Sequence, residues 1–416
     1  MKKRIFSFVS LVLAFIMSFG IFSFFGKSSN NVSFANTENN VPLDKKIRFG
    51  EDGKLKILHV TDTHLVHDSN RDKTYYVVRE ACDREKPDLA VITGDIVMNY
   101  EAPTMTKDLI DGLMNIFQSR GIPVAVTFGN HDSEEGAMSR EDIMAYYNTY
   151  SCSISVDDGE AISGCGTYNI PIYSSSGDKV AFNVWVFDSN DYDEEKRYSG
   201  VKEDQIAWYK STSDALKEAN GGEKVNSLVF QHIIVPEIYD ALEKVKTPTF
   251  FSFKHLYNEK EYYRFAKDGD NRGKINEKPC PGYYNYGQFD ALVEKGDVLA
   301  MFFGHDHTNA FSVKHKGIDI VNSPATRYKN NPYATQYGYR IVEVDEKDTT
   351  TYTTRVERLY DVFTMDYAKE LKAQGDEYGH KLARKIAIDG WFQKVADDIY
   401  VAIAEFFTGR TVRYDD

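Results

Sequence analysis

Five short polar clusters concentrate the residues able to do chemistry: Asp62-Thr63-His64, Gly94-Asp95, Gly129-Asn130-His131-Asp132, Gln231-His232 and Gly304-His305-Asp306-His307. Their carboxylates, imidazoles and carboxamide are ligand types that suit Mn, Fe, Zn or Co. None contains a cysteine, which disfavours a structural zinc site. A carboxylate can bridge two cations. Two ions about 3.5–4 Å apart can hold a hydroxide and stabilise both the attacking and leaving oxygens of an in-line displacement at phosphorus. Residues two apart on an extended chain share a face, so Asp62 with His64, and His305 with His307, are each expected to point together at a metal. Singly these motifs mean little. Gly94-Asp95 alone is ordinary turn chemistry, and a lone His232 is more often a satisfied core histidine. Their joint occurrence, each directly after an apolar run, is what points to a site.

The elements that must position them follow from periodicity. Residues 55–60, 88–92 and 123–128 read as strands. Between them, 73–86 and 104–120 read as helices, the first ended by Pro87 and the second by Gly121. Alternating strands and helices imply right-handed parallel crossovers in an α/β fold. Parallel strands deliver their C-terminal ends to one edge, where ligand sites form. Gly94, Gly129 and Gly304 would let the backbone turn sharply just before each site residue. After residue 160 the pattern becomes β-rich. Residues 168–173 and 180–187 look like an antiparallel pair, and 227–230 and 297–303 like further strands. Residues 313–321 and 339–344 are expected to continue the second sheet. The Tyr- and Lys-rich stretch 251–286 reads as a long insertion near the site. It contains Tyr283, Tyr284, Asn285 and Tyr286 as candidate specificity residues, with ordinary packing as the bland reading. Residues 367–407 read as helical, with Ile388, Phe392, Val395, Ile399 and Phe406 on one stripe expected to pack on the domain.

Bulk properties narrow the partners. With 416 residues and 42% hydrophobic content, a sizeable core is possible. Lys2, Lys3 and Arg4 precede an apolar run over residues 5–25, and Ser33-Phe34-Ala35 offers small residues to a signal peptidase, so cleavage after Ala35 is expected. The run exceeds the usual ~7–15 residues of a signal core, so an uncleaved membrane anchor is the competing reading. Both readings place the rest outside the cytoplasm, secreted or at the cell surface. Residues 36–54 are polar and read as a linker. The formal charge is −13, and loss of the leader's four basic residues leaves roughly −17, which argues against nucleic acid as a bulk partner. A small phosphorylated substrate remains compatible, because bound cations reverse the local field. Of the four cysteines, Cys152 and Cys165 flank a short polar loop and are the expected disulfide pair.

The five blocks, in this order, resemble the calcineurin-like metallophosphoesterase superfamily, whose pattern is Asp-x-His, Gly-Asp, Gly-Asn-His-Asp/Glu, His and Gly-His-x-His. The resemblance covers residues 55–344. It implies two mixed β-sheets packed as a sandwich flanked by helices, with a dinuclear metal site at one edge. The chain is expected to divide into a metallophosphoesterase domain over residues 55–360 and a C-terminal helical segment, 361–416. Carried over, the resemblance gives Asp62, His64 and His307 to a first metal and Asn130, His232 and His305 to a second, with Asp95 bridging. His131 would contact the phosphate and protonate the leaving oxygen, oriented by Asp132. Gln231-His232-Ile233-Ile234-Val235-Pro236-Glu237, Gly304-His305-Asp306-His307-Thr308-Asn309 and Asp188-Ser189-Asn190-Asp191-Tyr192 resemble a branch related to purple acid phosphatases. Purple enzymes carry a tyrosine three residues after the bridging aspartate. Met98 stands there, so two divalent ions are expected rather than a purple iron(III) centre. The reaction implied is hydrolysis of a phosphate monoester or diester. The competing class is a metal-stabilised surface or binding protein that keeps the fold without turnover.

Overall fold

Two apolar runs, Leu89–Thr93 and Val124–Thr127, are buried at every position, as strands covered on both faces must be. With β1 (Lys54–Val60) they form a parallel set, β1-β2-β3, connected by helices Arg71–Glu85 and Pro103–Gln118. Pro103 suits the helix start, where its missing N–H would be unbonded in any residue. This computed structural model describes residues 46–134, 136–156, 162–249, 251–267, 269–329 and 336–408. The expected leader and cleavage site lie outside them.

The second sheet is built from β4 (Tyr168–Tyr173), β5 (Val180–Phe187), β6 (Ser227–Gln231), β10 (Asn271–Lys274), β11 (Val298–Phe303), β12 (Ala310–His315) and β13 (Ile318–Asn322), in the order β10-β12-β13-β11-β6-β5-β4. Its four central strands are parallel. The inner faces of the two sheets meet in one core, where Leu55, Ile57, Leu89 and Val91 pack with Val184, Val186, Phe230 and Phe302. Each such buried side chain contributes about 1.5–3 kcal/mol. Outside the first sheet lie helices Arg71–Glu85, Pro103–Gln118 and Arg140–Tyr147, the last capped by the Ser139 hydroxyl accepting from Asp142 N–H. Outside the second lie Glu203–Ala219 and Gln288–Lys295. The result is the α/β sandwich of two mixed sheets flanked by helices.

Several expectations change. Residues 339–344 do not extend the second sheet. They lie in β14 (Gly338–Asp345), which pairs antiparallel with β1, so that Val342 sits opposite Ile57 and Val344 opposite Leu55. β15 (Asp348–Arg358) then closes that edge, giving the order β15-β14-β1-β2-β3. The run 313–321 is not one strand but a hairpin, because Lys316 and Gly317 both adopt positive φ and turn the chain back. Within the insertion, β8 (Phe253–Lys254) and β9 (Tyr262–Arg264) form a small sheet with β7 (Glu243–Val245), which precedes it, and β10 joins the second sheet. The polar linker ends earlier than 54, since Ile47 and Phe49 are buried in the inter-sheet core. No disulfide joins the described cysteines. Cys152 accepts from Val124 N–H through its carbonyl and Cys165 donates its N–H to Asp188, anchoring the two on different elements.

The largest departure is at the C-terminal end. Helix Glu377–Thr408 packs through Leu382, Ala383, Ile386 and Gly390, yet Ile388, Phe392, Val395, Ile399 and Phe406 are exposed rather than packed on the domain. The stripe is apolar at helical spacing, but it lies on the face turned away from the sheet. Among the described residues, no helix is long and apolar enough to cross a membrane.

Candidate metal centre

The C-terminal ends of β1, β2, β3, β6 and β11 bring all five clusters to one edge of the sandwich. Four residues there hold left-handed backbone, Asp62 (φ 54°), His64 (φ 42°), Asp95 (φ 49°) and His305 (φ 71°). For residues with a Cβ this conformation is strained by roughly 1–3 kcal/mol each, and such strain concentrates at functional sites. Gly94 does turn with positive φ. Gly304 serves differently: a Cβ there would lie 1.9 Å from Thr61 Oγ1 and 2.6 Å from Asp62 Oδ2, so its role is close approach.

Two groups of ligand-type atoms form. Asp62, His64, Asp95 and His307 make one, and Asp95, His232 and His305 the other. In the first, His64 Nε2 and His307 Nε2 are 3.0 Å apart, and His307 Nε2 is 3.4 Å from Asp62 Oδ1. In the second, His232 Nε2 lies 3.2 Å from Asp95 Oδ2 and 3.2 Å from His305 Nδ1. Asp95 thus faces both. Asp62 and His64 point together, although both hold left-handed backbone rather than the extended chain expected, while His305 and His307 diverge into separate groups.

The surroundings fix these side chains by their outer atoms. Asp62 Oδ2 accepts from Thr61 Oγ1 at 2.8 Å and His305 N–H at 2.9 Å. Asp95 Oδ1 accepts from His131 N–H at 2.8 Å. Asn130 Nδ2 donates to the Tyr192 hydroxyl at 2.8 Å. The Thr93 carbonyl lies 2.8 Å from His232 Nδ1 and accepts its proton, which leaves Nε2 to face the centre. The remaining oxygens, Asp62 Oδ1, Asp95 Oδ2 and Asn130 Oδ1, are buried with no hydrogen-bond donor. Three orphaned oxygens, two of them on carboxylates, beside two converging imidazole pairs are what cations satisfy, so the residues fit a metal pair.

The electrostatics agree. Burial opposes ionisation of Asp62 and Asp95, but the surrounding imidazoles outweigh it and hold both below the usual carboxylate range. His232, although buried, is pushed up to about 9, chiefly by Asp95. His305 is pushed down to about 3 by burial and by His232. Both carboxylates thus stay ionised, and the field they make at this point favours positive charge beside them. His59 stands apart as a core histidine between Ser323 and Thr93, with burial lowering it to about 3.

His131 joins neither group. Its Nε2 lies 4.0 Å from Asp95 Oδ2, while its Nδ1 is 2.7 Å from Glu134 Oε2. Glu134 Oε1 accepts from Tyr192, completing a chain through Asn130. Burial works against the His131 charge, yet Asp95 and Glu134 prevail and its pKa is raised. Asp132, expected to orient His131, does not touch its ring. Its carboxylate collects the N–H groups of Asp95, Ile96 and Gly129 at 2.7–2.8 Å and Val97 at 3.3 Å, tying the ends of β2 and β3 together. Residues not singled out from sequence also appear. Glu134 was findable as an acid three positions after His131. Arg327, whose Nη2 is 3.3 Å from His307 Nδ1, and Tyr198, whose ring meets that of His305 edge-on at 4.4 Å, carry no motif. Tyr283 is tied by its N–H to the Tyr198 carbonyl at 2.8 Å and is covered by Arg197 at 3.7 Å; Tyr283 and Tyr284 remain exposed.

A family model described as calcineurin-like phosphoesterase matches residues 55–309. The chain belongs to the calcineurin-like phosphoesterase family. Among calcineurin-like relatives, the probable inactive purple acid phosphatase 29 of Arabidopsis thaliana is 28% identical over 66% of this chain and 72% of its own length. The probable inactive purple acid phosphatase 14 of the same plant is also 28% identical, over 68% and 73%. These place the chain on the branch related to purple acid phosphatases. Phosphatase DCR2 of Saccharomyces cerevisiae is 23% identical over 66% of this chain and 48% of its own. A crystal structure of a dimetal phosphatase from Danio rerio covers 73% of this chain and 98% of its own at 13% identity, with a TM-score of 0.45.

Proposed function

We propose that this calcineurin-like phosphoesterase hydrolyses a small phosphate ester using two divalent cations drawn from Mn, Fe, Zn or Co. The observation that carries the reading is the set of orphaned oxygens on Asp62, Asp95 and Asn130 converging with the two imidazole pairs. Asp62, His64, Asp95 and His307 would hold one cation, and Asp95, Asn130, His232 and His305 the other. When bound, the cations would supply an activated water at neutral pH and neutralise charge on the phosphoryl oxygens. His131 presents Nε2 toward the centre and, held through Nδ1 by Glu134, donates its proton to the leaving oxygen. Arg327 adds a fixed positive charge beside the first group. Tyr198, edge-on to His305, would contact the leaving group, with Tyr283 bonded to its backbone. The basic start, apolar run and Ser33-Phe34-Ala35 of the leader support export from the cytoplasm, which N-terminal sequencing of protein from the medium tests directly.

The test is hydrolysis of p-nitrophenyl phosphate and of its bis-ester after chelation, with and without added Mn²⁺. Metal-dependent release from either supports the reading; none from both sinks it. A second reading, a binding protein without turnover, draws on the plant relatives, which are named as probable inactive purple acid phosphatases. It predicts metal uptake and phosphate binding by calorimetry with no release.

A further inference from the structure

We infer that the C-terminal helix Glu377–Thr408 is a self-association surface, docking antiparallel against the same helix of a second copy. One face of it is already seated. Leu382, Ala383 and Ile386 are buried in the helical layer over the first sheet, and Gly390 lies so close to Tyr360 that a Cβ would come within 2.4 Å of it. The opposite face carries Ile388, Trp391, Phe392, Val395 and Ile399, exposed by 40, 61, 63, 37 and 42%. Trp391 and Phe392 meet edge-on at 4.9 Å and form one aromatic ridge. Ile388, Phe392, Val395 and Ile399 are spaced by four, three and four residues, the 3.5-residue period of a seam between two helices. A helix that needed only to cover its own domain would leave this face polar.

Charge selects the occupant. From Lys381 to Lys394 the helix carries four basic residues (Lys381, Arg384, Lys385, Lys394) against one acid (Asp389). From residue 395 to 408 it carries three acids (Asp397, Asp398, Glu405) and no base. Two copies related by a two-fold axis across the helix, near residues 393–394, bring the basic half of each against the acidic half of the other. In that register Ile388 lies across from Ile399 of the second copy, Phe392 from Val395, and Arg384 from Glu405. An anionic lipid surface is disfavoured by the same acids, which stand at the end of the apolar stripe where a membrane-surface helix would carry bases. The exposed seam from Ile388 to Ile399 spans only about 17 Å of helix, so the dimer belongs to the weak class, with a dissociation constant in the micromolar range.

The experiment is sedimentation equilibrium of the full-length protein from about 1 to 100 μM. The expected result is a reversible monomer–dimer equilibrium, weakened ~30-fold or more by Phe392→Glu, as for a central aromatic anchor. Phosphoesterase activity and the circular dichroism spectrum of that variant should stay those of the parent, because Phe392 is exposed and belongs to neither ligand group. Arg384→Glu should weaken the dimer, and Arg384→Glu with Glu405→Arg should restore it. Recovery in the double variant identifies the antiparallel register, and failure to recover overturns it. A monomer throughout the range overturns the proposal, as does a dimer indifferent to Phe392→Glu. Co-sedimentation of monomer with phosphatidylcholine–phosphatidylglycerol vesicles, without self-association, would assign the face to lipid and also overturn it.

Discussion

Asp132→Asn separates architecture from chemistry at the metal centre. Asp132 is buried, 1% exposed, and its two oxygens accept four backbone N–H groups from the ends of β2 and β3. An amide of the same shape keeps one acceptor and turns an NH₂ group toward two of those donors. Each buried donor left unbonded costs about 1–3 kcal/mol, so the gross loss is roughly 2–6 kcal/mol. Burial and Asp95 push the Asp132 carboxyl up to about 6, so removing its charge recovers part of that. The net expectation is about 2–4 kcal/mol, a large share of the ~5–15 kcal/mol that holds a typical domain. Glu134→Gln is the control. Glu134 is 35% exposed and, among the described residues, bonds through its carboxylate to His131 and Tyr192, so its loss should cost about 0.5–1.5 kcal/mol while reducing turnover. Urea denaturation of the metal-free proteins reads the first quantity as a shift of midpoint at constant slope. Hydrolysis of p-nitrophenyl phosphate reads the second. If Asp132→Asn unfolds at the parent's urea concentration, or if Glu134→Gln loses stability and not activity, the roles assigned to the two acids are wrong.

Other outcomes follow from the same geometry. Asp95→Asn should lower bound metal, by elemental analysis, and cut kcat/KM by at least ~10³-fold, since one carboxylate oxygen faces both groups. The Glu134 carboxylate helps raise the His131 pKa, so its removal lowers that pKa; the acid form is then lost sooner as pH rises, and the alkaline limb of the rate profile should move to lower pH. Gly304→Ala forces a Cβ against Thr61 and Asp62 and should destabilise by about 1–3 kcal/mol in a thermal melt, with loss of metal from the first group. Mn²⁺ at 100 times its dissociation constant should stabilise the chelated protein by about 2.7 kcal/mol, read as a raised Tm. Denatured, unreduced protein should titrate four thiols with Ellman's reagent.

Much of the centre was legible because it is local. Each cluster sits at the end of an apolar strand, and parallel topology forces such ends to one edge. What was not legible depends on tertiary placement. Three acids, Asp132, Glu134 and Glu135, follow His131 within four positions, and only the paths of β2 and β3 decide that the nearest binds backbone while Glu134 reaches the imidazole. The pairing of His305 with His232 rather than His307 goes with the adjacency of β11 and β6, which no periodicity encodes. Residues 339–344 have the alternation of a strand in either sheet, and only the register against β1 assigns them. The helical stripe at 388–399 was readable as amphipathic, but a pattern gives a face, not what covers it.

The centre is also bipartite. Asp62, His64, Asp95 and Asn130 come from the first sheet, and His232, His305 and His307 from the second, with His64 and His307 separated by 243 positions. During synthesis the first half of the ligand set leaves the ribosome long before the second. No cation can be fully held until residue 307 has emerged and the sheets have closed on each other. A cation shared by the two halves would therefore enter only after both sheets have formed and closed on each other.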